Sequence, residues 1–271
     1  MVVSIKRIVF AVVATAVMGI LIAAMIGGPE PSDAASLERG DGDQIVIGRD
    51  DDNTSNPTIQ PEDTPSPPGP NQSLNNTDIL SSGPGNDVLI GLLGSDVMQG
   101  GEHGDILVGG TEQFVAPNSD VMFGGLGNDT SIWAPGDGSD AYLGGAGALD
   151  AQVFGVIDRN ANNVPTREGE APGFARGVPT AEVTGSPGFC TLERIGAANS
   201  LDYDFLVRFF VRSTGALAVT VRLEDTEQVF CTSRAGGAIT FANLTRDEPR
   251  FREVSLSRVR DLNPTVRGII R

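Results

Sequence analysis

Ser82-Gly-Pro-Gly-Asn-Asp-Val-Leu-Ile90 is followed by Gly91-Leu-Leu-Gly-Ser-Asp-Val-Met-Gln99 and then by Gly100-Gly-Glu-His-Gly-Asp-Ile-Leu-Val108. Each nine-residue unit begins on glycine-rich turn residues, places Asp sixth and closes on a short apolar run. The next unit opens at Gly109-Gly110, takes an insertion and resumes at Asp120-Val-Met-Phe123. Gly124-Gly-Leu-Gly-Asn-Asp-Thr-Ser-Ile132 follows, then Gly136-Asp-Gly-Ser-Asp-Ala-Tyr-Leu143 and a decayed unit at Gly144-Gly-Ala-Gly147. Asp87, Asp96, Asp105, Asp120, Asp129 and Asp140 are therefore spaced nine, nine, fifteen, nine and eleven residues apart. Insertions of six and two residues account for the long gaps, and repeat arrays carry such insertions in loops.

The two halves of a unit have different chemistry. Glycines such as Gly83, Gly85, Gly101, Gly110, Gly125, Gly127 and Gly138 can take positive φ and let backbones approach closely, as tight turns require. Val88-Leu89-Ile90, Val97-Met98, Ile106-Leu107-Val108 and Val121-Met122-Phe123 are short β-prone runs. Turn plus strand, repeated, describes a coil that stacks on itself, since no unit could bury its apolar face alone. Leu89, Met98, Leu107, Met122 and Tyr142 are expected to point inward, and Ser131 departs from that column.

Stacking sets an electrostatic problem. Neighbouring strands lie about 4.7–4.9 Å apart, so aspartates of successive coils are held at similar spacing and their uncompensated charges repel. A bridging cation removes the conflict. Ca²⁺ takes oxygen ligands at about 2.3–2.6 Å, and Mg²⁺ fits less well because it demands shorter bonds and octahedral geometry. Asp87, Asp96, Asp105, Asp120, Asp129 and Asp140, with carbonyls of the glycine turns, are the candidate ligands for several Ca²⁺ ions.

The units match the pattern GGxGxDxUx, and the region resembles the haemolysin-type (RTX) calcium-binding repeats of secreted bacterial proteins. The resemblance covers about a quarter of the chain. It implies a parallel β-roll with two nonapeptides per coil and ions between Asp87 and Asp105, Asp96 and Asp120, Asp105 and Asp129, and Asp120 and Asp140. His103 at a glycine position, Leu92-Leu93 in place of Gly-x, and both insertions depart from the pattern.

Outward from the repeats, the 271-residue chain divides by charge. Its formal net charge is −16, and Ser36 to Asp150 holds 19 acids against two arginines. That excludes a nucleic-acid partner, which needs a basic surface. Residues 1–35 read as an export segment: Lys6 and Arg7 precede an apolar run from Ile8 to Ile26, and Ser32-Asp33-Ala34 offers a signal-peptidase site. The run is also long enough to anchor in a bilayer, and this would be the chain's membrane contact if it stays uncleaved. Either way the remainder lies outside the cytoplasm, secreted or at the cell surface. Residues 36–77, rich in Asp, Asn, Pro and Ser, read as a disordered linker, with Gly40–Gly48 a stray unit lacking neighbours.

Residues 78–155 form the expected β-roll and 156–271 a small antiparallel, sandwich-like domain, so the fold class is all-β. Phe205, Val207, Phe209 and Val211 alternate with polar positions, and Leu217, Val219, Val221 and Leu223 repeat the period, which predicts a hairpin. Gln228–Thr232, Ala238–Leu244, Glu253–Leu256 and Val266–Ile270 are further strand candidates. Cys190 and Cys231 are the only cysteines, and in an exported chain such a pair predicts one disulfide.

His103 is the only histidine, which excludes a His-based triad in the C-terminal region. Neither H-E-x-x-H nor G-x-S-x-G occurs. These absences lean away from an enzyme and favour an extracellular calcium-binding protein, structural or adhesive, whose C-terminal region meets a cell-surface or extracellular-matrix ligand. The alternative is a secreted polysaccharide-active or other hydrolytic enzyme stabilised by the repeats, since paired carboxylates are plentiful.

Overall fold

The computed structural model describes residues 36–38, 45–47, 79–92, 95–110, 119–157, 179–195 and 203–271. The expected export segment and the remainder of the expected linker, 39–44 and 48–77, lie outside the described residues. Residues 34–271 belong to one compact unit.

The repeats make a parallel β-roll of two facing sheets over residues 79–154. Strands β3 (Ile79–Pro84), β5 (Val97–Glu102), β7 (Val121–Leu126) and β9 (Ala141–Ala146) stack in the first sheet. Strands β4 (Val88–Leu92), β6 (Ile106–Gly110), β8 (Thr130–Trp133) and β10 (Ala151–Phe154) stack in the second. The chain alternates between sheets, so each pair of units makes one coil. Register follows the repeat: Met98 lies beside Met122 and Met122 beside Tyr142, as Leu89 lies beside Leu107.

The expected inward column is buried, with Leu89, Met98, Leu107 and Tyr142 fully inaccessible and Met122 almost so. Ser131 takes Leu107's place in the next coil and is buried too, its hydroxyl 3.4 Å from Met122 Sδ. Volume is restored two residues on. Where the Leu89 and Leu107 coils carry Gly91 and Gly109, the Ser131 coil carries Trp133 and the next carries Phe154, both buried in the same cluster. The two rings lie 5.4 Å apart by centroid, and Phe209 packs 4.7 Å from Trp133. Small-for-large at one position and large-for-small at its neighbour keeps the core at native density.

Within the stray unit, residues 45–47 do not stand alone. Strand β2 (Ile45–Ile47) pairs in parallel with β4, and β1 (Ser36–Glu38) pairs with β3. An open sheet edge offers a full row of backbone donors and acceptors to any β-prone segment, which outweighs the missing sequence continuity.

The C-terminal strands are antiparallel, as their alternation predicts, and they share both sheets with the repeats. After β11 (Val156–Ile157), β12 (Ala181–Glu182), β13 (Gly188–Arg194) and β14 (Phe205–Val211) comes β15 (Leu217–Glu224), which lies parallel to β9 with Leu223 beside Tyr142. Strand β16 (Gln228–Thr232) lies parallel to β10 with Val229 beside Gln152. The pair β15–β16 is thus a further coil with no repeat motif. The predicted hairpin is β14–β15, and β13 extends the first sheet beyond it; β17 (Ile239–Asn243) and β18 (Arg252–Val254) extend the second.

Cys190 of β13 and Cys231 of β16 form a disulfide that ties the two sheets together. It closes a loop of 41 residues, a constraint of about 3–4 kcal/mol by the chain-entropy relation.

Two strand expectations change at the end. Helix α1 (Leu256–Leu262) starts at Ser255, whose side chain accepts from Arg258 N–H, the usual satisfaction of a free helix donor. Val266–Gly268 is a 3-10 turn rather than a strand. Val259, Val266, Ile269 and Ile270 join the cluster containing Val153 and Phe230, so this tail packs by an apolar stripe and leaves few backbone groups for pairing. Arg250, Arg252, Arg258 and Arg260 are exposed; Arg250 pairs with Glu248 and Arg258 with Asp261.

Candidate metal centre

The repeat aspartates line the two edges of the roll, where the chain passes between sheets. On the first edge, turns at 85–87, 103–105, 127–129, 147–150 and 225–227 connect the first sheet to the second. They place Asp87, Asp105, Asp129, Asp150 and Glu227 in one ladder. Asp87 N–H donates to Asp105 Oδ1 at 2.8 Å, Asp105 to Asp129 at 2.8 Å, Asp129 to Asp150 at 2.7 Å and Asp150 to Glu227 Oε2 at 2.9 Å. On the second edge Asp96 N–H donates to Asp120 Oδ1 at 2.7 Å, and Asp120 N–H to Asp140 Oδ1 at 3.0 Å. Each carboxylate caps the coil before it, so all four pairs expected from the repeat stand in contact.

The glycines leave the space these groups occupy. A Cβ added at Gly100 would overlap Asp105 Oδ2, one at Gly124 would meet Asp129 Oδ2, and Gly91 and Gly109 stand likewise to Asp96 and Asp120. Gly101 and Gly125 have φ of +121° and +114°, and a Cβ on either would overlap the carbonyl of the coil before it, Gly83 or Gly101. The first glycine of each pair makes room for a carboxylate and the second for a neighbouring carbonyl. Gly85 and Gly127 also have positive φ on the first edge, at +145° and +143°. Gly110 ends β6 on the second edge. Gly138 is drawn elsewhere: its carbonyl accepts from Trp133 Nε1 at 3.0 Å.

The second carboxylate oxygen of four ladder members sets the electrostatic problem of this fold. Oδ2 of Asp105, Asp120, Asp129 and Asp150 is buried without a hydrogen-bond partner, an arrangement that costs several kcal/mol for an ionised group in water's absence. Burial pushes Asp105 and Asp150 up to about 8 and Asp129 up to about 6, and neighbouring carboxylates add to the rise at Asp105 and Asp150. Burial and the charges of Asp137, Asp140 and Asp96 raise Asp120 well above its ordinary value. A proton or a cation must answer each such oxygen.

Asp137, in the 134–140 loop, adds a third carboxylate to the second edge. Ligand oxygens of Asp120, Asp137 and Asp140 lie within 4.8 Å of one another, all three residues buried. This cluster can hold a metal ion. Its donors are all oxygen, which suits hard cations rather than thiophilic ones. Asp137, Asp150 and Glu227 were not in the sequence-derived set. For Asp150 a signal exists, since Gly144-Gly-Ala-Gly-Ala-Leu-Asp150 is the repeat with one extra residue. His103 is exposed on the first edge at φ +82°, a turn residue away from the carboxylates' buried oxygens.

No family model and no curated protein matches this chain.

Proposed function

We propose that this chain is an extracellular calcium-binding protein whose roll folds around Ca²⁺ and carries the C-terminal strands as a structural or adhesive module. The observation that carries the reading is the row of buried aspartates within the repeats, on both edges, with Oδ2 of Asp105, Asp120, Asp129 and Asp150 unanswered. Carboxylates brought that close without counter-charge oppose the stacking that creates them. Ca²⁺ accommodates six to eight oxygens in flexible geometry, and the irregular coils, with loops of unequal length on the second edge, suit it better than Mg²⁺. The RTX resemblance of the repeats points the same way. When bound, the ions supply charge neutralisation, and the side chains named above would hold them.

Placement outside the cytoplasm is part of the proposal, supported by the disulfide, which persists in oxidising compartments, and by the export-like first 35 residues. The adhesive role is supported only by the absence of His-based machinery in the C-terminal strands.

If binding energy is folding energy here, the full chain gains β-structure when Ca²⁺ is added after chelation. Circular dichroism with calorimetric titration at neutral pH tests this. A chelator-insensitive spectrum together with no binding heat at millimolar Ca²⁺ would overturn the proposal.

A further inference from the structure

The 134–140 loop does more than connect two strands. Among the described residues, three carboxylates converge only where its Asp137 meets Asp120 and Asp140. Asp120 is 1% exposed and its Oδ2 has no partner, so one ligand atom of this group is both sequestered and unanswered. The loop is held from two sides. Trp133 Nε1 donates to Gly138 O, and Gly138 N–H donates to Asp137 Oδ1 at 3.0 Å, which fixes the Asp137 carboxylate. On the far side Thr220 N–H donates to Ser139 Oγ at 3.2 Å and Arg222 reaches Ser139 O at 3.4 Å. These partners belong to β15, the strand that begins the motif-free coil.

We infer that Asp120, Asp137 and Asp140 form a distinct hard-cation site, filled by Ca²⁺ before the two-carboxylate positions of the ladders, which clasps the repeats to the coil made by β15 and β16. The inference rests on the calcium reading for the identity of the ion and goes beyond it in adding Asp137, a ligand outside the repeat pattern, to the Asp120–Asp140 pair and in giving that site its rank. Its physical basis is charge. Three formal negative charges within one coordination sphere attract a divalent ion more strongly than two, and oxygen sites are tuned over decades of affinity by charge count and rigidity. The loop's hydrogen bonds supply the rigidity.

Trp133 is the only tryptophan and is hydrogen-bonded to the loop itself, so a lanthanide bound here is sensitised by a single indole. The probe is Tb³⁺ added to the calcium-free full chain, excited at the red edge of tryptophan absorption where tyrosine is silent. Expected are green emission that saturates with the first equivalent of Tb³⁺, its displacement by excess Ca²⁺, and apparent affinity weakened at least about tenfold in Asp137→Asn. Emission that is absent, that grows only after several equivalents, or that is unchanged in a folded Asp137→Asn overturns the inference. Should that variant not fold, emission lifetimes of the wild-type chain in H₂O and D₂O decide. A buried site leaves few waters on the ion, whereas a nearly complete hydration shell sinks the clasp. The two readings fail separately. A calcium-dependent dichroism change without indole-sensitised emission removes the clasp alone, and saturating emission without that change removes calcium-driven folding alone.

Discussion

The two edges of the roll carry the same carboxylate chemistry on very different backbones. First-edge turns from β3 onward are three or four residues long in every coil, including the motif-free one. They hold Gly85 and Gly127 at positive φ, with His103 and Asp225 as the non-glycine residues there, and Gly83, Gly101, Gly125 and Gly145 near the ends of the strands that enter them are also at positive φ. Second-edge connections run from 93–96 through 111–120 and 134–140 to residues 155–216, which include four strands. The insertions of six and two residues both lie on the second edge, while the first edge admits a single added residue, in the 147–150 turn. The reason is geometric. A first-edge turn nests against the carbonyl of the coil before it, as Gly127 does against His103, so an insertion longer than the single residue of the 147–150 turn collides with the next coil. Across the second edge the strands keep their register after connections of very different length, Met98 beside Met122, Met122 beside Tyr142 and Tyr142 beside Leu223.

The largest expected effect follows from that asymmetry. Inserting Gly-Ser between His103 and Gly104 should displace Asp105 from both Asp87 and Asp129, exposing a break in core and ladder together. A cost of about 4 kcal/mol or more is expected, the range reserved for disrupted buried networks. The same dipeptide between Glu112 and Gln113 lengthens a connection that is already long, and closure entropy grows so slowly with length that the cost should stay within about 0.5 kcal/mol. Chemical denaturation in saturating Ca²⁺ compares the two. Equal destabilisation would mean that the edges are not mechanically distinct.

The asymmetry also explains which parts of the molecule were legible in the sequence. The Asp column and the inward residues Leu89, Met98, Leu107, Met122 and Tyr142 follow from a local period, because each coil repeats the same turn and strand. The disulfide followed from cysteine count alone. Asp150 escaped because one added residue breaks the count in a first-edge turn that still closes. Glu227 carries no signature at all. Its turn, Glu224-Asp-Thr-Glu227, lacks glycine, and Asp225 takes the left-handed conformation at φ +42° instead. That β15 would lie parallel to β9 is a property of what the stack leaves uncovered at its end, and no window of sequence records it. Asp137 reads as an ordinary loop acid until the fold sets it beside Asp120 and Asp140. The departure of Ser131 is legible in the period, but the Gly–Trp exchange that offsets it is visible only once register pairs Leu107 with Ser131.

A second test uses protons in place of ions. Asp105 and Asp150 are held near 8 and Asp129 near 6 in the folded chain, against about 3.9 for an unfolded aspartate. Between pH 4 and pH 8 the folded state therefore binds protons that the unfolded state has lost, and stability falls as pH rises. The calcium-free chain should be most ordered near pH 4 and progressively less so toward pH 8. In excess Ca²⁺ the ions take the protons' place and the slope should flatten. Denaturation midpoints across that range, with and without chelator, provide the check; a calcium-free midpoint that climbs toward neutral pH contradicts the ladder's burial. Asp105→Asn removes one of these titrating groups and should reduce the slope.

The smallest effect concerns the place within the repeats where the first edge departs from its own rule. Gly85, His103, Gly127 and Gly147 occupy equivalent turn positions, and the His103 carbonyl fills the space a Cβ on Gly127 would need. At φ +82° His103 holds a conformation that costs a residue with a Cβ roughly 1–2 kcal/mol. Its side chain is exposed, so little packing is lost on removal. Glycine relieves the strain, but its greater freedom in the unfolded chain takes back about 0.5–1 kcal/mol. His103→Gly should therefore stabilise the calcium-loaded chain by less than about 1 kcal/mol, the difference between those two terms. A denaturation midpoint that drops instead would assign the imidazole a bond worth more than the strain it carries. It would also make His103 a working part of the first edge rather than a tolerated exception to it.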